Sequence, residues 1–383
     1  MLKELDEFMG QMGVEAIILH GKFNDTNIYY LTKNKVTSSS FVIKTIGKKP
    51  VLLTWPEKEY SGDVRYYTDY DIISKTREFG RIDAYMNCIK RIMEEEGIEK
   101  FSAFGSVPGK LFDRMKSNGI GIDYPEINPV SIARATKDDE EISFMKDTAK
   151  RTSKVMQKTI DYFKDSKTDS NFVYKNNEKV TVGDVKKYIK INMVIEGLEN
   201  TDDMIVASGP KSSNMHYKGD DCVPIKSHSP IVIDLYPRCH ESLYFTDMTR
   251  TIVIGNVDKE VRKVYSDVIN TYDYVADKIL EDVQIKDVFD GACSFFESKG
   301  HMTYRKDEKT KEGFIHQLGH GVGLDIHENP SIGMFNNETF KNNMIFAVEP
   351  GLYFPNRYGI RVEDTLLIKN NKLHNLIALE KRL

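Results

Sequence analysis

The chain has 383 residues, with 54 Lys and Arg against 58 Asp and Glu, for a net charge of −4. That length suggests two or three domains and a large core, and the near balance of charge, without a long basic block, argues against nucleic acid as the main partner. No run reaches the roughly 18 apolar residues of a membrane span, and Met1 to Phe8 mixes acids into a helical spacing where a signal peptide needs an apolar core, so a cytoplasmic protein with no membrane partner is expected.

Residues 3–12 space Leu5, Phe8, Met9 and Met12 as an amphipathic helix, and Glu15 to Leu19 follows as a strand. Asn24-Asp25-Thr26 matches a glycosylation sequon, which means little without a secretory signal. Phe41 to Ile46 and Pro50 to Leu53 flank Gly47-Lys48-Lys49 as a hairpin. A helix near 79–96, a strand at 101–104 and a helix near 108–117 complete a mixed α/β unit in which nothing looks catalytic. Two prolines, Pro125 and Pro129, mark a boundary, giving expected domains of 1–129 and 130–383.

Thr136 is placed to cap a helix whose first turn, Lys137 to Glu141, is acidic, as suits the positive end of the helix dipole. This helix should run to about Phe163 and bury Ile142, Met145, Ala149, Met156 and Ile160. The polar stretch 166–182 has no assigned role and leads into a helix near 183–196. Strands then dominate, interrupted by helices at about 258–280 and 286–299. Cys88, Cys222, Cys239 and Cys293 form no Cys-x-x-Cys pair and read as free thiols.

Four apolar stretches in this half are each broken by one carboxylate: Asp234 in 231–235, Asp247 in 243–247, Glu349 in 344–349 and Glu363 in 360–363. Each reads as a strand, where an ionised carboxylate is costly unless a cation pairs with it or a metal binds it. Pro237 lies in a turn that can bring Asp234 and Asp247 together, and Gly351 and Gly359 do the same for Glu349 and Glu363. His320, within Gly319-His320-Gly321-Val322-Gly323, completes a plausible set of oxygen and nitrogen donors for two divalent ions. A helical His-x-x-x-His zinc motif fails, because Gln317 stands where the base should be and three glycines disfavour a helix. The glycine spacing also fails the dinucleotide fingerprint, and no Gly-x-Ser-x-Gly elbow is present.

These segments resemble the pita-bread metallopeptidase family, the Xaa-Pro dipeptidase (prolidase) and aminopeptidase P branch above all, by motif over about residues 134–383. The part before them is similar in layout to the creatinase-type amino-terminal domain of that branch. The resemblance implies an α/β amino-terminal domain followed by an α+β pita-bread catalytic domain. It further implies two divalent ions (Mn, Co, Fe or Zn) held by Asp234, Asp247, His320, Glu349 and Glu363, with Asp247 and Glu363 bridging. Ion-activated hydroxide would then hydrolyse the bond of a peptide with proline second, Glu349 moving the proton and His216 and His327 lining the substrate site. Arg361, two residues before Glu363, would either orient the carboxylates or clamp a substrate carboxylate, and Arg250 reads as structural. His316 is balanced between shaping the glycine turn and touching substrate. A homodimer is expected from the family alone. The alternatives are a catalytically silent relative that binds peptide or protein, against which stands the full ligand set, and a methionine aminopeptidase, against which stands the large amino-terminal domain.

The departures from the family pattern lie beside the site. Asp234 and Asp247 are more widely spaced than usual, Tyr236 stands where a glycine is common, and Met215 replaces the proline often found before the histidine. The enlarged turn 236–246 has no assigned role, and His240 within it is the residue nearest to a role at the mouth of the site.

Overall fold

Runs of Ile, Val and Phe that alternate or lie between glycines make strands of the first part, and amphipathic segments between them make its helices. In the computed structural model, which describes residues 2–383, these are α1 (Leu2–Gln11), β1 (Ala16–Gly21), α2 (Thr26–Thr32), β2 (Ser40–Thr45), β3 (Val51–Thr54), β4 (Asp63–Tyr66), α3 (Ile72–Phe79), α4 (Arg81–Glu96), β5 (Lys100–Gly105), α5 (Gly109–Ser117), β6 (Gly121–Asp123) and α6 (Pro129–Ala133). The six strands form one mixed sheet in the order β4-β3-β2-β1-β5-β6, with β2 antiparallel to both neighbours and the other pairs parallel. Gly80, at φ 83°, separates α3 from α4 where one helix was expected to begin.

The contacts divide the chain into units Met1–Arg134 and Ala135–Leu383. The second unit contains α7 (Asp139–Tyr162), β7 (Lys167–Thr168), β8 (Val173–Lys175), β9 (Glu178–Lys179), α8 (Val182–Ile195), β10 (Leu198–Glu199), β11 (Ile205–Ser208), β12 (Pro230–Leu235), β13 (Arg238–Cys239), β14 (Met248–Val253), α9 (Lys259–Ala276), α10 (Ile285–Ser298), β15 (Gly319–Gly321), β16 (Glu328–Ile332), β17 (Ile345–Val348), β18 (Gly351–Phe354), β19 (Tyr358–Arg361), β20 (Glu363–Lys369) and β21 (Lys372–Asn375). An α/β unit is thus followed by an α+β one, as expected.

The main sheet of this unit runs β11-β12-β14-β20-β17-β15-β16, with β21 on β20. Helices α7 and α8 cover one part of it through Met156, Val185 and Ile189, which pack on Ile231, Ile233 and Met248. Helices α9 and α10 cover another through Val264, Val268, Phe289 and Phe296, packed with Phe346, Leu366 and Ile368. The helices thus bury one face of the sheet, and the residues at alternate positions, apolar Val232 among them, face the other way.

Two local readings are corrected. The cap of α7 is Asp138, which forms a reciprocal box with Glu141, and not Thr136. The segment Leu243 to Asp247 is the approach to β14 rather than the strand itself, with Leu243 at φ 65°, so Asp247 sits one residue before the ladder begins. The polar stretch folds as the small antiparallel sheet β7-β8-β9.

Candidate metal centre

The period of a strand places Asp234. Ile231, Ile233 and Leu235 enter the core beneath α7 and α8, so Val232 and Asp234 face the opposite way. The register then sets Asp234 against Thr249 and Thr249 against Glu363, and the Thr249 hydroxyl donates to Glu363 Oε2 at 2.6 Å. Asp247 is fixed from two sides: its N–H donates to Thr365 Oγ1 at 2.9 Å, and its Oδ1 accepts from Met248 N at 2.9 Å.

His320 stands mid-strand in β15, between β16 and β17. That passage needs glycine on either side, because a Cβ at Gly319 would lie 1.9 Å from Ala347 O and one at Gly321 2.1 Å from Asn329 O. Glu349 follows β17 directly, and the ribbon β18–β19 returns the chain so that Gly351 pairs with Arg361, two residues before Glu363.

Ligand-type atoms of Asp247, His320 and Glu363 all lie within 4.8 Å of one another. His320 Nε2 is 3.5 Å from Asp247 Oδ2 and 3.8 Å from Glu349 Oε1. Asp234 joins from the side: its Oδ2 is 2.5 Å from Arg361 Nη2, while its Oδ1 is buried without a hydrogen-bond partner. Arg361 is 4% exposed, with Nε on Thr249 Oγ1 at 3.2 Å and Nη1 on the Tyr353 hydroxyl at 3.0 Å.

Burial, with Asp234 and Glu349 nearby, pushes the Asp247 carboxyl well above the usual range. Burial and then Asp247, Glu349 and Asp234 do the same to Glu363. Asp234 also rises through burial, with Arg361 opposing. Burial lowers His327, reinforced by His320, and burial lowers His316, so both favour the neutral imidazole. Burial lifts the Tyr353 phenol to about 12, so it stays protonated.

A cavity of about 510 Å³ opens on this cluster, lined by all five carboxylate and imidazole candidates together with His216, His327 and Arg361. The His327 ring stands edge-on to His320 with centroids 4.3 Å apart. His316 also lines the cavity, wedged against Phe314 and Tyr353 with its Nδ1 2.6 Å from Gln317 O. All the sequence-derived site residues therefore border one space. Sequence reasoning missed Thr249 and Tyr353 as supports of Glu363 and Arg361, and Asp202 and Lys218 on the cavity wall. The strand register of Thr249 beside Asp247 was a usable signal; for the others only the folded chain brings the partners together.

The donor set fits divalent cations. Buried like-charged carboxylates and an unpartnered Asp234 oxygen are costly without a cation and become favourable with one, and oxygen-rich sets with an imidazole suit hard or borderline metals.

A model of metallopeptidase family M24 matches residues 143–370. The Xaa-Pro dipeptidase of Pyrococcus furiosus is 26% identical over 100% of this chain and 99% of its own length. Among solved structures, the prolidase of Pyrococcus horikoshii OT3 superposes with a TM-score of 0.79 at 22% identity, covering 100% of this chain and 99% of that one. The X-Pro aminopeptidase of Thermotoga maritima does so with a TM-score of 0.78 at 24% identity, covering 98% and 99%. The chain shares with both the pita-bread fold behind an amino-terminal α/β region.

Proposed function

This chain belongs to metallopeptidase family M24, and from that premise we propose that it is an exopeptidase that cleaves Xaa-Pro peptides at a two-metal centre. The observation that carries the reading is the convergence of Asp234, Asp247, His320, Glu349 and Glu363 on one cavity also lined by His216 and His327. The names of the relatives and neighbours, Xaa-Pro dipeptidase, prolidase and X-Pro aminopeptidase, support the proline preference.

Asp247 and Glu363 would be shared between two ions, with Asp234 on one and His320 and Glu349 on the other. Bound divalent metal would supply Lewis-acid polarisation of the scissile carbonyl and a water of lowered pKa. The residues do the rest. Glu349, beside His320 and less enclosed than Glu363, takes and returns the proton. His216 and His327 face the cavity where the oxyanion and the leaving nitrogen develop, and His327, kept neutral by burial, donates through one ring nitrogen only. Arg361 holds Asp234 in its facing, which favours the orienting role over an outward clamp.

The four cysteines are unpaired and three are buried, which supports a reducing, cytoplasmic setting. No helix among the described residues is long and apolar enough to cross a membrane. A homodimer rests on family likeness, and sedimentation giving only monomer at assay concentration would refute it. The deciding assay is hydrolysis of Xaa-Pro against Xaa-Pro-Yaa with Mn supplied. Turnover of either supports the reading; turnover of neither, together with cleavage of peptides lacking proline second, overturns it.

A further inference from the structure

Charge along the cavity wall is uneven. Asp202, Asp234, Asp247, Glu349 and Glu363 are acidic, and only Lys218 and Arg361 oppose them among the described lining residues. Arg361 is consumed within the wall by Asp234, Thr249 and Tyr353. Lys218 is different: its side chain is 44% exposed, and its ammonium sits 2.6 and 2.7 Å from the two oxygens of Asp202.

The position of Lys218 is built. Asp202 Oδ1 also accepts from Asp203 N at 2.7 Å, and the Tyr236 hydroxyl donates to Asp203 O. Lys218 O accepts from Val206 N at 3.1 Å. Beneath both, Lys186 is 3% exposed and bonds Asp203 Oδ2 at 2.5 Å and Gly219 O at 2.9 Å, tying together the neighbours of Asp202 and of Lys218. Gly219, at φ 97°, has no room for a Cβ, which would lie 2.3 Å from Val206 O. The cation is therefore mounted on rigid backbone at the rim of an acidic cavity.

We propose that Lys218 recognises the free α-carboxylate of the substrate and so selects dipeptides over longer peptides. This rests on the Xaa-Pro exopeptidase reading. A dipeptide carries its carboxylate one residue beyond the scissile bond, within the same cavity, whereas a longer peptide presents an uncharged amide there. An ammonium has three donors, of which Asp202 takes two, leaving one for an incoming acceptor. An exposed Lys–Asp pair adds little net stability, so a substrate carboxylate can share Lys218 or draw it away. Without that cation Asp202, the one lining acid outside the proposed metal-ligand set, would repel the same carboxylate. An acidic side chain on the substrate offers the same chemistry, and the test separates the two sources.

The experiment measures kcat/KM for Ala-Pro, Ala-Pro amide and Glu-Pro amide with metal-loaded wild type, Lys218→Gln and Lys218→Arg. The preference for Ala-Pro over its amide should fall about 10–100-fold in Lys218→Gln, chiefly through KM, the range for losing a charge-assisted hydrogen bond. Lys218→Arg should keep most of it. An unchanged preference in Lys218→Gln, or a loss confined to Glu-Pro amide, overturns the proposal. Calorimetric binding of Ala-Pro and its amide decides Lys218 even if no peptide is cleaved, an outcome that would refute only the exopeptidase reading. Carboxylate-dependent binding that disappears in Lys218→Gln supports the role, and equal binding of acid and amide to wild type overturns it.

Discussion

Arg361 Nη2 lies 2.5 Å from Asp234 Oδ2, so an acid expected to bind metal is held from behind by a buried guanidinium. The guanidinium is itself steadied by Thr249 and by the Tyr353 hydroxyl. Arg361 thereby opposes the rise that burial imposes on the Asp234 carboxyl, whose other oxygen stays unpartnered.

Arg361→Met should therefore lower metal affinity or turnover about 10–100-fold, the usual cost of losing a residue that orients a ligand. Arg361→Lys should recover little, since an ammonium cannot reproduce the planar fork. Metal titration by calorimetry, alongside peptide kinetics, checks this. Intact metal affinity with a raised KM for peptides bearing a free carboxylate would make Arg361 a substrate clamp instead.

Glu349 and Asp234 should respond differently to loss of charge. Glu349→Gln keeps the shape and loses the base, at about 10²–10⁴ in turnover from the acid–base contribution. Asp234→Asn weakens one ion's hold and should be partly rescued by added metal. Turnover measured against metal concentration for both variants separates them: equal rescue would reduce Glu349 to a ligand, and full activity in both would remove this cluster from the mechanism.

The chelated protein should be strained by its own carboxylates. Asp247 and Glu363 have folded pKa values well above their ordinary 3.8 and 4.5, so the folded chain holds their protons more tightly than the unfolded one. Their contribution is most favourable below those ordinary values and is lost as pH rises through the raised ones. Asp247→Asn, which can still accept from Met248 N, should stabilise metal-free protein at about pH 7 by roughly 0.5–2 kcal/mol. The gain should fade toward about pH 4. Denaturant melts at both pH values test the sign, and a variant less stable than wild type at neutral pH would show that the carboxylate is not the source of strain.

Much of this site was legible because burial and charge conflict visibly along the chain. Asp234 and Glu349 beside apolar strands, and His320 among glycines, declare an unusual requirement before any fold is known. Elements short enough to lack a period were not legible. Helix α2 has seven residues, and Asp25, which caps it through Asn27 N and Ile28 N, reads in the sequence only as part of a sequon. Long-range partners were also hidden: Thr249 stands two residues after Asp247, yet nothing local pairs it with Glu363, or Asp202 with Lys218, because the first pair is set by strand register and the second by the bonds of Lys186, within α8, to Asp203 and Gly219. Asp247 was assigned to a strand that begins one residue later, since apolar content alone does not distinguish a buried loop from a ladder.

The enlarged turn supplies the last test. Within it, Arg238 and Cys239 form β13, which pairs with β10, and Arg238 binds Glu199 at 2.5 Å. Cys239 is buried in the core with α7 and α8, while His240 is largely exposed and 3.3 Å from Glu199. The extra length therefore anchors the sheet's surroundings, and His240 is not among the residues lining the cavity. His240→Ala should leave metal stoichiometry and turnover unchanged. Deleting His240 and Glu241 removes residues between Cys239 and Leu243, whose N–H bonds the Cys239 carbonyl at 2.9 Å, so it should cost stability on the order of 1–3 kcal/mol while metal affinity persists. Calorimetric metal titration of both variants decides it: a lost equivalent of metal in His240→Ala would mean that the turn itself contributes a ligand.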